Sequence, residues 1–182
     1  MELLKKENFA APRDIYSRLA TAFTLITFVF LSFYWLWKIF WGTQKLDLWL
    51  TGILLFLLLV LLWAYGHKPT AYTLDHKGLL VRRRWGRPLF FPFSSILDIR
   101  ELAHNKASAL IPFFRIGGVF GYLGIYQLPG LGRVTMLATR RDELVLVRLH
   151  TDKSYLLSPH PREDFMAALP RDKRTLQPGF EE

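Results

Sequence analysis

Cysteine is absent from this chain, acidic residues are scarce (15 Asp and Glu against 24 Lys and Arg), and histidine occurs only five times. The first absence excludes disulfides, thiol nucleophiles and Cys-ligated zinc or iron–sulfur centres, and it leaves the redox compartment open. The histidines, His67, His76, His104, His150 and His160, stand apart near predicted turns and helix ends, none at a spacing like that of HExxH. A G-x-S-x-G elbow, a Walker A loop and a complete dinucleotide fingerprint are also missing. Ser94, Ser95 and Ser158 have no base partner in view. Of the paired acids, Asp142–Glu143 falls in a predicted turn and Glu163–Asp164 suits a helix N-terminus. No catalytic residue, metal ligand or cofactor is expected, and the chain reads as non-enzymatic.

Charge is missing altogether from two long stretches, Leu19–Trp37 and Leu48–Gly66. At ~1.5 Å per residue each is long enough to cross the roughly 30 Å hydrocarbon core of a bilayer as a helix. The first ends in the bulky aromatic run YWLWKIFW, where a cleavable signal would need small residues, so it is read as retained. The link from Lys38 to Asp47 is short, which makes the two helices an antiparallel transmembrane hairpin. Trp35, Trp37, Trp41 and Trp49 gather at the linked end, and Trp63 with Tyr65 marks the other, as two interfacial belts would. The hydroxyls of Thr21, Thr24, Thr27 and Ser32 can return to the helix backbone.

Orientation follows from the flanks. Lys5, Lys6, Arg13 and Arg18 precede the hairpin, and Lys68, Lys77, Arg82, Arg83 and Arg84 follow it. The link offers only Lys38 and Lys45. The positive-inside rule then puts both termini in the cytoplasm of a multi-pass protein of the cell membrane. The expected organisation is a solvated N-terminal tail over 1–18, the hairpin over 19–66 (19–37 and 48–66), a cytoplasmic domain over 67–170 and a polar tail over 171–182.

The domain has the pattern of strands. Thr70–Leu74 and Leu79–Trp85 flank the turn Asp75-His76-Lys77-Gly78, and Leu89, Phe91 and Phe93 alternate in a third strand that Pro88 and Pro92 confine to an end, an edge or a bulge. Ile96–Leu102 alternates as a half-buried fourth strand, and His104–Pro112 breaks the pattern as a loop. Arg115–Gly124 is glycine-rich and aromatic, with Ile125–Leu128 extending it. Val134–Thr139, Leu144–Leu149 and Ser154–Leu157 complete the strands. Acids in a first turn, a Phe165/Met166/Leu169 stripe and the stop at Pro170 predict one short amphipathic helix at the end.

About seven strands closed by one helix is the order of a pleckstrin-homology-like domain, and the chain resembles the bacterial PH-domain membrane proteins. The resemblance rests on YTLDHKGLLVRRR followed by FPFSSILDI, the spaced glycines Gly118, Gly121, Gly124 and Gly132, the strand VTMLATR, and YLLSP ahead of the Phe165 helix. It covers Thr70 to Leu169. It implies an α+β chain in which the transmembrane hairpin precedes a PH-like seven-stranded β-barrel or sandwich capped by a C-terminal helix. It also implies a binding module without catalytic residues.

Two features are candidates for binding. Arg82, Arg83, Arg84 and Arg87 surround a tight turn at Gly86, with Arg82 and Arg84 expected on one strand face, where two guanidinium groups could hold a phosphorylated headgroup. The alternative for these arginines is a solvated strand face that obeys the positive-inside bias, and Arg140–Arg141 is a weaker patch of the same kind. Gly118, Gly121 and Gly124 read as structural glycines at a bend or strand crossing; the alternatives are backbone that approaches a phosphate and a loop that dips to the membrane with Phe113, Phe114, Phe120 and Tyr122. The net charge is +9, of which +7 follows Tyr65. A basic domain tethered to a bilayer points to anionic lipid ahead of nucleic acid. The leading expectation is an interaction or assembly module, joining a second copy or another membrane protein. Anionic-lipid headgroup binding through the arginines is the alternative. A membrane-associated enzyme is a third class, for which no catalytic constellation speaks.

Overall fold

The structure, a computed structural model, describes residues 6–41, 48–102, 110–117 and 119–175. It is α+β. After a first strand β1 (Glu7–Ala10) come two long helices, α1 (Ile15–Trp41) and α2 (Leu48–His67), both long and apolar enough to cross a membrane. Asp14 caps α1 by accepting a hydrogen bond from Ser17 N at 2.7 Å. The expected hydroxyl-to-backbone bonds form at Thr21, Thr24 and Ser32, which donate to the carbonyls of Ser17, Ala20 and Phe28. Between the helices, Trp35 Nε1 donates to Thr51 Oγ1 at 3.1 Å. Most of the aliphatic and aromatic surface of the pair faces outward, as lipid contact requires.

The rest of the described chain is a β domain of two sheets. The first is antiparallel, in the order β1, β2 (Pro69–Asp75), β3 (Gly78–Arg83), β4 (Leu89–Pro92). Pro92 closes β4 on the edge of this sheet, where a missing N–H costs no ladder bond. Gly78 lets β3 and β4 come together: a Cβ there would lie 2.2 Å from the Phe91 carbonyl oxygen.

The second sheet holds β5 (Ile96–Glu101), β6 (Ile111–Gly117), β7 (Tyr122–Leu128), β8 (Gly132–Ala138), β9 (Val145–Leu149), β10 (Ser154–Leu157) and β11 (Arg174–Thr175), in the order β11-β5-β9-β10-β8-β7-β6. Helix α3 (Arg162–Ala167) buries Phe165 and Met166, as the stripe predicts, with Leu169 just past its end. Alternation along the strands sorts the core into two clusters. Val145, Val147, Leu137 and Leu157 face the first sheet and α3, packing with Tyr72, Leu79, Val81, Phe91 and Phe165. Leu144, Leu146, Met136 and Leu156 face the other way, with Tyr122 and Tyr126. Both faces of the second sheet are therefore apolar.

Three elements depart from the sequence expectation. The N-terminal segment, expected as a solvated tail, adds β1 to the edge of β2, and its Phe9 is 6% exposed in the core, edge-to-face with Phe165 at 5.2 Å. Within the segment expected as a loop, Ile111 already begins β6, which forms a hairpin with β7. A two-residue β11 pairs with β5. The described residues thus form eleven strands rather than seven. Residues 1–5, 42–47, 103–109, 118 and 176–182 lie outside those described, and with them His104, Gly118 and most of the link and of the C-terminal tail.

Candidate functional site

The domain is fastened to the helix pair at three places. Ahead of α1, a buried hydroxyl network grips residues 10–14. Thr139 Oγ1 donates to the Pro12 carbonyl at 2.7 Å, Thr139 N donates to Ser158 Oγ at 2.9 Å, and Asp14 N donates to the Thr139 carbonyl at 3.4 Å. Tyr72 lies beneath, its hydroxyl donating to the Leu137 carbonyl at 2.8 Å and accepting from Ser158 N at 3.3 Å. Full burial pushes the Tyr72 phenol up to about 12. Tyr122 donates to the second oxygen of Asp14 at 2.9 Å; its phenol too is pushed up, by burial first and then by that carboxylate.

Behind α2, the chain turns directly into β2, and Trp85 N donates to the Gly66 carbonyl at 3.0 Å. A Cβ on Gly66 would lie 2.8 Å from Trp85 Cε3, so the indole occupies the space that glycine leaves. The third fastening is the β6–β7 loop. Phe120 N donates to Thr21 Oγ1 at 2.9 Å, against the one face of α1 that is buried, Ser17 and Thr21. Small residues there let the loop approach the helix closely. Phe120 has φ +62 and Gly121 φ +146, with the Ala138 carbonyl oxygen 3.0 Å from where a Gly121 Cβ would be. Gly121 is thus required by backbone geometry, Gly124 shares its positive φ, and Gly118 lies outside the described residues.

Where these fastenings meet, aromatic rings and cations form a collar around Tyr65. Its ring is edge-to-face with Trp85 at 5.1 Å and with Phe120 at 5.3 Å. Lys68 Nζ stands 4.3 Å from the Tyr65 ring centre and 5.7 Å from that of Phe120, and the Arg84 guanidinium is 5.6 Å from Tyr65. The Lys68 pKa is lowered, by burial first and then by the charges of Arg13 and Arg84. Arg13, 55 residues ahead of Lys68 in the sequence, lies near enough for its charge to act on Lys68.

The four arginines proposed from the sequence separate. Strand β3 ends at Arg83, and Arg84, exposed like Arg82, stands at the collar. Arg82 and Arg87 are exposed. Arg83 is half-buried, its Nε without a hydrogen-bond partner, and its pKa is lowered by burial with Tyr155 acting in opposition. The weaker patch also divides: Arg140 is paired with Asp142 and Glu143, while Arg141 lies 5.5 Å over the Tyr122 ring. Sequence reasoning missed Arg13 and Lys68 as site residues. Their only local signal is basic charge beside an apolar run.

At the far end of the second sheet lies a different surface. Strand β6 ends that sheet, and Ile111 and Phe113 on it are 60% and 67% exposed. Ile125 on β7 is exposed too, and the Arg133 guanidinium covers the Phe113 ring at 5.0 Å. Among the described residues, the exposed large hydrophobic residues of the domain that lie elsewhere are Trp85, Phe90 and Leu97.

No curated protein and no solved structure matches the chain. The model of the bacterial PH domain family matches residues 70–173, from β2 through the residues just after α3, and leaves out β1 and both long helices. That match spans more than half of the chain and takes in β2 to β10, the Thr139–Ser158–Tyr72 network and α3, so the chain belongs to the bacterial PH domain family.

Proposed function

We propose that this is a two-pass protein of the cell membrane with both termini in the cytoplasm, whose PH-like domain is a non-enzymatic assembly module that joins a second copy of the chain. The topology is supported by the way both ends of the helix pair run into one domain, through residues 10–14 and through Gly66 to Pro69. A single folded unit at both ends requires those ends to share one side of the bilayer. The basic flanks name that side as the cytoplasm. The two sheets, facing across a shared core with α3, form the PH-like sandwich in this reading, closed at one end by the helix.

The observation that carries the assembly reading is the β6 edge, unpaired among the described residues, with its exposed Ile111 and Phe113. Soluble faces rarely leave such residues together, and an unprotected edge strand is a template for pairing. Because the domain is fastened at three points, two copies in one bilayer hold their β6 edges at the same height, which favours their meeting. The absence of native cysteine makes a clean test available. Phe113→Cys would carry the sole thiol of the chain, and mild oxidation in membrane vesicles is expected to give a covalent dimer, with Phe90→Cys on the β4 edge remaining monomeric. Monomer at Phe113→Cys, together with a monomeric mass by light scattering in detergent, overturns the reading.

A further inference from the structure

Toward the domain, the two long helices leave an apolar groove of about 270 Å³ between them, walled by Phe23, Phe28, Leu57, Val60 and Ala64 and closed by Val119 of the β6–β7 loop. Thr24 lines it as well, but its hydroxyl is turned to the Ala20 carbonyl at 2.8 Å. The next residue along each of two walls belongs to the collar: Tyr65 follows Ala64, and Phe120 follows Val119. Groove and collar are therefore neighbours along the chain on two walls. Lys68 and Arg84 are held against the same Tyr65 ring, and Arg13 lies near enough for its charge to act on Lys68. Among the described residues no acidic side chain forms an ion pair with Arg13, Lys68 or Arg84.

Two cations on one aromatic ring, with the charge of Arg13 acting on one of them and no acidic ion-pair partner among the described residues, beside a hydrocarbon slot at the end of a membrane helix pair, complement one chemical class. We propose that this junction binds one anionic phospholipid, its phosphate between Lys68 and Arg84, where the charge of Arg13 also acts, and one acyl chain in the groove closed by Val119. The site is separate from the β6 edge and does not depend on self-association. A bound phosphate supplies an anion beside the crowded cations, and the lipid ties α1, α2 and the loop together at their common junction.

The test is retention of phosphatidylglycerol by the full chain in mixed detergent micelles, counted by native mass spectrometry against zwitterionic phosphatidylcholine. Preference for the anionic lipid is expected, and Lys68→Gln with Arg84→Gln should lower it about tenfold or more. Arg82→Gln with Arg87→Gln, exposed and outside the collar, should leave it unchanged. Val60→Phe, which fills the groove, should lower retention of the lipid, and excess glycerol phosphate should not displace it. Equal retention of the two lipids by the native chain overturns the proposal, as does an equal loss on changing Arg82 and Arg87, which would mean a diffuse surface charge. Displacement by glycerol phosphate, or undiminished retention in Val60→Phe, removes the acyl-chain part and leaves a free phosphate site. Should the Lys68/Arg84 variant fail to fold, the exposed Arg13→Gln gives the same readout, and unchanged retention there overturns the role of the three-cation group.

Discussion

Truncating Phe9 to alanine separates a tail from a strand. A solvated tail residue would contribute nothing to stability, and surface changes of that kind stay within about 0.5 kcal/mol. In the structure Phe9 is 6% exposed, belongs to the cluster that joins the first sheet to α3, and meets Phe165 edge-to-face at 5.2 Å. Burying and then deleting such a ring costs about 3–5 kcal/mol. An edge strand of four residues can relax around the loss, so the lower end, about 3 kcal/mol, is expected. That is a large part of the roughly 5–15 kcal/mol that holds a domain folded. It should lower the melting temperature of the full chain in detergent, followed by circular dichroism of the β signal, by about 10–15 °C. Glu7→Ala, exposed on the same strand, is the control and should leave the melt in place. The Asn8 side chain accepts a hydrogen bond from Thr73 Oγ1 at 2.7 Å, so amide exchange at residues 7–10 should also speed up in Phe9→Ala. A melt within 2 °C of the native chain would refute the docking of β1.

Gly78→Ala should destabilise the domain by about 1–3 kcal/mol in the same melt, because the new methyl would meet backbone of β4 rather than a movable side chain. A neutral result would mean that β3 and β4 do not approach as closely as described. Alkali should weaken the domain through Tyr72, whose phenol moves from the ordinary value near 10 to about 12 on folding. The folded state holds that proton more tightly, so its contribution is complete below pH ~10 and is lost as the pH rises toward ~12. Tyr72→Phe should flatten that arm of the pH–stability curve, and an unchanged arm would count against its buried hydrogen bonds.

Most of the β domain was legible because its strands alternate. The faces of Val145 and Val147 against Leu144 and Leu146, and the Phe165/Met166/Leu169 stripe, follow from periods of two and 3.6 that any reader of the residues can find. Strands β1 and β6 were not legible for opposite reasons. Residues 7–10 are too few to show a period, and their partner, Leu74 back to Ala71, lies more than sixty positions away. Strand β6 carries Pro112 and leaves Ile111 and Phe113 exposed, so its pattern is not that of a half-buried strand.

Alone, the residues determined the two apolar spans, the basic bias of their flanks, the absence of thiol chemistry and the PH-like run of strands, since each depends on composition or on neighbours a few positions apart. Only the tertiary structure decided which cations stand near one another. The run Arg82-Arg83-Arg84 looks like one group in the chain, yet Arg83 is half-buried between two exposed neighbours, of which Arg84 stands at Tyr65. Arg13, Lys68 and Arg84 look unrelated, yet the fastening of both helix ends to one domain brings Lys68 and Arg84 to Tyr65 and the charge of Arg13 within reach of Lys68. Charge acts through space over a few ångströms, and the distances between distant segments are set by packing rather than by order along the chain.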